Sequence, residues 1–247
     1  MAFLGRRFPS HSRWGITLLV HAKTGYARDR QLMTLATDDS ARSDRTANRR
    51  ARRRQLIEAT IASVAELGFA DTTLSSVTKR ADLSHGTINF HFRTKELLFI
   101  ETLKYLAEEH RDQWHAALEK AGSRPEKQLA AMIEIDFDPV ICNDKRLAVW
   151  FAFWGEAKCR PAYLGICGQI DEERLIEFKR LCRLIKDDGG YTHVDASLVA
   201  KCLQSLIDGI WLNKLCQPDV YQRGEAIRMC VSFLAGWFPR HFPLNEK

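Results

Sequence analysis

Two apolar segments contain residues whose types and spacing suggest chemistry. The first carries aromatic side chains at i, i+3 and i+4, which share one helix face: Trp150, Phe153 and Trp154. In the second, Asp208 stands among apolar residues close to Trp211. A carboxylate in such a segment is costly unless a cation or hydrogen-bond donors meet it.

Indole rings and one carboxylate together match the needs of an organic cation. A quaternary ammonium ion cannot donate ordinary hydrogen bonds and is held by the quadrupoles of aromatic rings. The two segments therefore predict a pocket for such a cation. Core packing also produces aromatic stripes at helical spacing, and it stays open as the alternative.

The net charge of the chain is concentrated in residues 45–95. This stretch holds ten basic and four acidic residues, so its charge of +6 equals that of all 247 residues. One basic module on a neutral body is typical of polyanion binding. Arg50 and Arg52 belong to a basic arm suited to phosphates or to the minor groove of DNA.

Two short helices joined by a three-residue turn are predicted inside the basic stretch. The first runs from Leu74 to Ala81 with Thr73 as N-cap, and Ser84 caps a second that ends near His91. Apolar residues at helical spacing provide a common core: Val77, Ala81, Leu83, Ile88 and Phe92. Small polar residues are left to face DNA, and with the N-cap the predicted contacts are Thr73, Ser84, His85, Thr87, Asn89 and His91.

The stretch from Gly68 to Glu96 resembles the N-terminal domain of the TetR family of bacterial transcriptional repressors, and the resemblance covers about residues 50–110. It implies that Gly86 allows close backbone approach and that Thr87 faces the groove. It also implies that Lys95, at the start of the fourth helix, contacts a phosphate. Asn89 departs from the family, which commonly has a phosphate-contacting Tyr there, and Asp82 replaces a common Gly in the turn.

Both aromatic segments are similar to those of the choline-sensing, BetI-type branch of this family. That branch has closely similar Trp-x-x-Phe-Trp and Ile-Asp-Gly-x-Trp-Leu segments, and the resemblance then spans roughly residues 50–240. It implies repression of choline and glycine betaine genes, with an effector bound by Phe137, Trp150, Phe153, Trp154, Asp208 and Trp211. Glu156 departs from the small neutral residue expected near its position, and both a second cation contact and an exposed site stay open for it. A TetR-type regulator of another pathway, with a different hydrophobic or cationic effector, also stays open, as does a DNA-binding protein without an effector.

Helical spacing of apolar residues continues to residue 238, and no alternating β pattern appears, so the fold is predicted to be all-α. We expect a disordered extension at 1–47, a helix-turn-helix domain at 48–95 with the motif at about 73–92, and a ligand-binding and dimerisation domain at 96–240. By the same resemblance, the last two helices form a homodimer through faces that include Leu198, Cys202, Cys230 and Leu234.

Several functions are excluded by what the sequence lacks. It has no nucleophile elbow, phosphate-binding loop, dinucleotide fingerprint or paired metal ligands, so we expect neither an enzyme nor a cofactor or metal. No apolar run is long enough to span a membrane, and seven cysteines without a CxxC pair suit free thiols. The expected protein is cytoplasmic, with double-stranded operator DNA and a small-molecule effector as its partners.

Overall fold

The computed structural model describes residues 44–244. It divides into two units, residues 1–53 and 54–247, and each is described by itself. In the first unit residues 44–53 are helical. Of the extension expected to be disordered, residues 1–43 lie outside the described part, whereas residues 44–47 are helical.

The second unit contains nine helices and no β-strand among its described residues, which confirms the all-α fold. They are α1 (54–71), α2 (Leu74–Ala81), α3 (His85–His91), α4 (Lys95–Ala121), α5 (Pro125–Asp136), α6 (Asp144–Ala157), α7 (Pro161–Gly189), α8 (Ala196–Cys216) and α9 (Arg223–Trp237). Gly68 adopts a positive φ of 81°, and the helical residues continue past it to 71.

The predicted caps of the short helices are confirmed. Thr73 and Ser76 form a capping box in which each side chain accepts a hydrogen bond from the other residue's backbone N–H. Ser84 accepts from the N–H of Thr87 and so begins α3. Between the two helices Asp82 adopts left-handed geometry, with φ 51° and ψ 47°. A short polar side chain tolerates this geometry, so the turn forms without the glycine common in the family.

The helix-turn-helix has the expected core. Val77, Ala81, Ile88 and Phe92 are buried in the hydrophobic core, and Leu83 is partly buried against it. Burial of these side chains fixes the angle between α2 and α3, because neither helix is long enough to be stable alone.

The remaining helices pack around α4 and α7, the two long ones. Helix α4 starts in the helix-turn-helix region and continues along α5, α6 and α7, while α7 also packs on α5, α6 and α8. Helix α9 lies against α8 and α5. Within residues 44–244 no helix is long and apolar enough to cross a membrane.

All seven cysteines are free thiols. Four are buried, and burial raises the pKa of Cys182 to about 12, which keeps that thiol protonated and unreactive at neutral pH. Cys159, Cys202 and Cys216 are exposed.

One expectation about the helices α8 and α9 is wrong. Leu234 and Cys230 were assigned to the face that meets a second protomer, but both side chains are completely buried inside this protomer. The apolar residues of α9 recur on two faces, and the inward face contains these two. Leu198 and Cys202 are exposed on α8, as the expected face requires.

The position of Leu234 predicts a stability effect. Leu234→Ala leaves a cavity in the protomer core, so we expect the free energy of unfolding to fall by about 2–5 kcal/mol in urea titrations. Leu164→Ala is the matched control, because Leu164 is 58 % exposed on a helix, and it should change stability by less than about 0.5 kcal/mol. Equal effects of the two changes would contradict the assignment.

Candidate DNA-binding surface and effector cavity

A polar strip runs along the outer face of α3. His85, Gly86 and Asn89 are exposed, and Thr87 is partly buried, while Ile88 points into the core. The Oγ1 of Thr87 lies 3.0 Å from the Oγ of Ser84, the N-cap residue. The structure therefore brings these predicted DNA contacts together in the first turns of one helix, with His91 partly buried at its end.

Gly86 is not required by the packing of the protomer itself. A Cβ added there would meet only the Oγ of Ser84 at 3.6 Å, which is an ordinary van der Waals distance. Any need for glycine at this position would come from a partner that approaches the backbone, as the prediction for Gly86 supposes.

Phe90 is a residue of α3 that the sequence reasoning missed. Its side chain is 68 % exposed, and its ring lies 5.2 Å from that of His91. A large exposed aromatic group on this helix can contact a thymine methyl or a sugar. Its place in an apolar-looking run gave no signal that it points outward.

Arg50 and Arg52 lie in the first unit, within the helical residues 44–53, and both are exposed. Five arginines make this helix strongly basic: Arg45, Arg49, Arg50, Arg52 and Arg53. Exposed guanidinium groups are suited to phosphate contact.

Lys95 is engaged inside the protein in a way that the sequence did not predict. Its Nζ donates to the backbone carbonyls of Phe69 and Ala70, at 3.2 and 3.0 Å, and lies 5.1 Å from the centroid of the Phe99 ring. Lys95 thus joins the start of α4 to the end of α1. The ammonium group has three donors, so one N–H remains for a phosphate. Thr73 is likewise occupied, by the capping box.

Four helices of the larger domain enclose a small cavity. It is lined by Trp150 and Trp154 of α6, Trp211 of α8, His110 of α4, and Ile170, Asp171 and Arg174 of α7. The predicted indole groups are therefore brought together from two helices that are distant in sequence. The free volume is only about 10 Å³, close to that of one water molecule.

Arg174 is the cation that meets Asp208. Its side chain is buried, and its Nη2 donates to Oδ1 of Asp208 at 2.7 Å, while Nη1 lies 3.5 Å from Oδ2 of Asp136. Burial alone would lower the pKa of Arg174, but the neighbouring carboxylates outweigh it and raise the pKa. Asp208 does not line the cavity. The predicted contact between Asp208 and the effector stays a prediction, and the effector would have to share this carboxylate with Arg174.

Asp136 forms hydrogen bonds with two residues of the cavity wall, His110 and Trp211. Its Oδ1 lies 2.7 Å from Nε2 of His110, and its backbone carbonyl accepts from Nε1 of Trp211 at 2.7 Å. The Cζ of Arg174 also lies 5.6 Å from the centroid of the Trp211 ring. The network fixes the orientation of one indole and one imidazole of the cavity wall.

Asp171 is the acid of the cavity wall that the sequence reasoning missed. Burial raises the pKa of its carboxyl group to about 6, although Arg174 and His110 act in the opposite direction. The segment 171–174 reads Asp-Glu-Glu-Arg, which has the composition of a solvated helix face. Only the spacing of Asp171 and Arg174, one helix turn apart, could have shown that both point to the same side.

Phe153 and Phe137 do not line the cavity. Successive residues of a helix are rotated by 100°, which turns Phe153 away from Trp154. Its ring packs edge to face against Tyr163 at 4.9 Å and Phe69 at 5.6 Å. Phe137 ends α5 in the core with 1 % of its surface exposed. Both side chains pack in the core, and their predicted contacts with the effector stay predictions.

Ion pairs fasten α6 to α4 at both ends. Near its start, Arg146 donates to both carboxylate oxygens of Glu109 at 2.7 and 2.9 Å. Just beyond its end, Arg160 bonds Glu96 at 3.0 Å and Glu156 at 3.1 Å. Glu156, whose role was open, is thus a partner of Arg160 outside the cavity. The helix that carries Trp150 and Trp154 is tied to the helix that leads to α3.

Two family models match the chain. The model described as bacterial regulatory proteins, tetR family, matches residues 56–102, and the model described as BetI-type transcriptional repressor, C-terminal, matches residues 125–239. The first covers the helix-turn-helix and the start of α4, and the second covers the helices from α5 to α9.

Two similar proteins have names that match the family descriptions. The HTH-type transcriptional regulator BetI of Yersinia pestis (strain Pestoides F) is 33 % identical over 186 residues, which cover 74 % of this chain and 90 % of that protein. The BetI of Serratia proteamaculans (strain 568) is 30 % identical over 193 residues, covering 78 % and 95 %.

Solved structures share the architecture. A putative transcriptional regulator from Pseudomonas aeruginosa PAO1 has a TM-score of 0.69 at 26 % identity, with 78 % of this chain and 94 % of that chain covered. A putative transcriptional regulator from Saccharomonospora viridis, solved in complex with choline, has a TM-score of 0.67 at 20 % identity, covering 74 % and 94 %. These relatives are regulators of transcription and not enzymes. The chain belongs to the TetR family of transcriptional repressors, in its BetI-type branch.

Proposed function

We propose that this repressor controls genes of choline and glycine betaine metabolism in the cytoplasm and responds to choline or a closely related quaternary ammonium ion. The observation that carries the proposal is the cavity of three indole groups with an excess of carboxylates around it. The names of the BetI relatives and the choline complex of the Saccharomonospora regulator support it. A regulator of another pathway with a different effector is the second candidate, and the comparison of effectors below separates the two.

The charge of the cavity favours a cation. Asp136, Asp171 and Asp208 surround Arg174, so three carboxylates share one guanidinium group. Even with His110 protonated, the group keeps a net negative charge. A bound cation would balance it, and indole faces attract a cation that has no hydrogens to donate.

The same wall already shows the interaction that we propose for the effector. The Cζ of Arg174 lies 5.6 Å from the centroid of the Trp211 ring, so this indole already makes a cation–π contact inside the protein. Each desolvated contact between a cation and an aromatic ring contributes about 0.5–2 kcal/mol, so two or three such contacts with a carboxylate give micromolar to millimolar binding.

Effector entry must move helices, because the cavity holds little more than a water molecule. Trp150 and Trp154 are displaced together with α6, and the ion pairs of Arg146 and Arg160 transmit the movement to α4. Helix α4 begins at Lys95, which is bonded to the end of α1. A coupling of about 1–3 kcal/mol along this path changes operator affinity by about 5–150-fold.

Operator binding requires two copies of α3, which we propose to be held in a homodimer by α8 and α9. An exposed stripe on α8 recurs every three to four residues and consists of Leu198, Cys202, Ser205, Gly209, Leu212 and Cys216. A Cβ at Gly209 would meet nothing, so the stripe leaves room for close approach of another helix. A twofold dimer would present its α3 helices to successive major grooves about 34–36 Å apart.

Removal of one indole tests the effector site. Trp154→Leu keeps apolar volume but removes the ring quadrupole, so choline affinity in calorimetry should fall by about tenfold while operator binding persists. Trp237→Leu is the control, because Trp237 lies at the end of α9 and outside the cavity, and it should bind choline as wild type does.

Calorimetry with a neutral analogue of choline tests whether the site selects a cation. A neutral isostere of choline, with carbon in place of nitrogen, should bind wild-type protein much more weakly than choline does. Tighter binding of the isostere would refute the cation site and leave a repressor of another pathway.

The dimer proposal predicts that a charge on the α8 stripe prevents association. Leu212→Glu places carboxylates opposite each other at the twofold axis, so the variant should sediment as a monomer and lose operator affinity by more than about tenfold. Leu164→Glu changes an exposed leucine on α7 and should remain dimeric. A monomeric wild-type protein at micromolar concentration would overturn the proposal.

Thr87 tests the placement of the DNA-reading helix. Thr87→Ala keeps the cap of α3, since Ser84 accepts from the backbone N–H of residue 87, but removes the outward hydroxyl. We expect the ratio of operator to random-DNA affinity to fall by about fivefold or more, as a lost base contact is worth about 1–3 kcal/mol. Thr87→Ser should restore most of this ratio in gel-shift titrations. An unchanged ratio in the alanine variant would show that α3 does not read sequence through Thr87.

A further inference from the structure

The three carboxylates near the cavity, Asp136, Asp171 and Asp208, differ in their hydrogen-bond and ion-pair partners. Asp208 accepts a hydrogen bond from Arg174, and Asp136 is engaged by both His110 and Arg174. Asp171 also lies near Arg174, yet within residues 44–244 no group donates a hydrogen bond to it or lies at ion-pair distance from it. Asp171 is therefore the acid of the cavity wall that keeps its acceptor capacity for a ligand.

The protein gains no stability from an ionised Asp171. Burial is the largest influence on this carboxyl group, and the nearby charges of Asp208 and Asp136 add to it, so its pKa rises from 3.8 to about 6. A raised pKa in an acid means that the ionised form is disfavoured in the folded protein at neutral pH. Folding alone would favour a neutral side chain here, and an unpaired acid in a cavity suggests a binding role.

We propose that Asp171 is the anion that pairs with the cationic head of the effector and that makes the site select a cation over a neutral molecule of the same shape. This inference rests on the proposed function. Asp136 and Asp208 are then positioning residues, which fix Arg174 in the cavity wall and balance its charge. The division of roles follows from the contacts, because Arg174 is already shared by the other two acids.

The proposal predicts an effector affinity that depends on pH. The groups facing Asp171 are Arg174 on the same helix, Asp208 on α8, His110 on α4 and Asp136 at the end of α5. Ionised Asp171 attracts the cation and protonated Asp171 does not. With a pKa of about 6, choline binding should be strong at pH 7.5 and about tenfold weaker at pH 5, from this group alone. His110 faces the same cavity, so a variant is needed to isolate the contribution of Asp171.

Calorimetry with Asp171→Asn is the decisive experiment, with choline and its neutral carbon isostere as probes. The variant should bind choline at least about tenfold more weakly at pH 7.5, bind the isostere as wild type does, and lose most of the pH dependence. Its Tm without effector should equal or exceed that of wild type, since a disfavoured charge is removed. A merely structural role would lower the Tm and weaken both probes alike. Asp171→Ser serves the same comparison if the asparagine variant does not fold.

Asp208→Asn is the matched control. It removes a partner of Arg174, so its Tm should fall, whereas the pH dependence of choline binding should persist because Asp171 is intact. An Asp171→Asn variant that binds choline as tightly as wild type would overturn this inference and leave the proposed function standing. A wild-type protein that binds no quaternary ammonium ion would overturn the proposed function, and the inference with it.

Discussion

The buried guanidinium of Arg174 is the interaction on which the larger domain depends. It joins α7 to the end of α5 through Asp136 and to α8 through Asp208. Removal of one partner of such a buried pair costs about 3–5 kcal/mol, because the other charge is left without compensation. The same contacts set the position of Trp211, whose indole donates to the backbone of Asp136. Stability and the shape of the effector cavity are thus properties of one polar cluster.

The helix-turn-helix could be predicted from the sequence because its determinants are local. Thr73, Ser84 and Thr94 cap helices through atoms two or three residues away, and Asp82 forms the turn by its own backbone geometry. The cavity could be predicted only in part. Trp150, Trp154 and Trp211 were identified by their spacing, but the acids that face them depend on how α7 is rotated about its axis. That rotation is set by long-range packing, which periodicity does not report.

The faces of α8 and α9 that would contact a second protomer also could not be identified from the hydrophobic pattern. Both helices have apolar residues on two faces, so the hydrophobic pattern alone does not tell the protomer core from a surface for another protein. Leu203, Ile207 and Ile210 of α8 are buried, whereas Leu198 and Leu212 are exposed. An assignment based on apolar spacing therefore placed Leu234 on the wrong face. Exposure in the folded protomer separates the two sets, since only the exposed stripe is available to a second copy.

If the cavity is the effector site that we propose, its small size accounts for control of DNA binding at a distance. A large preformed pocket would admit a ligand without strain and would give α6 no reason to move. Here the indoles of Trp150 and Trp154 nearly close the space, and α6 is bonded to α4 at both of its ends. Under the proposed function, ligand binding would stabilise an arrangement in which α6 and α4 are displaced together. The response would then be limited by the difference in ligand affinity between the two arrangements. In that case the buried carboxyl group of Asp171, whose ionised form is disfavoured here, would increase this difference, because a bound cation would stabilise its charge.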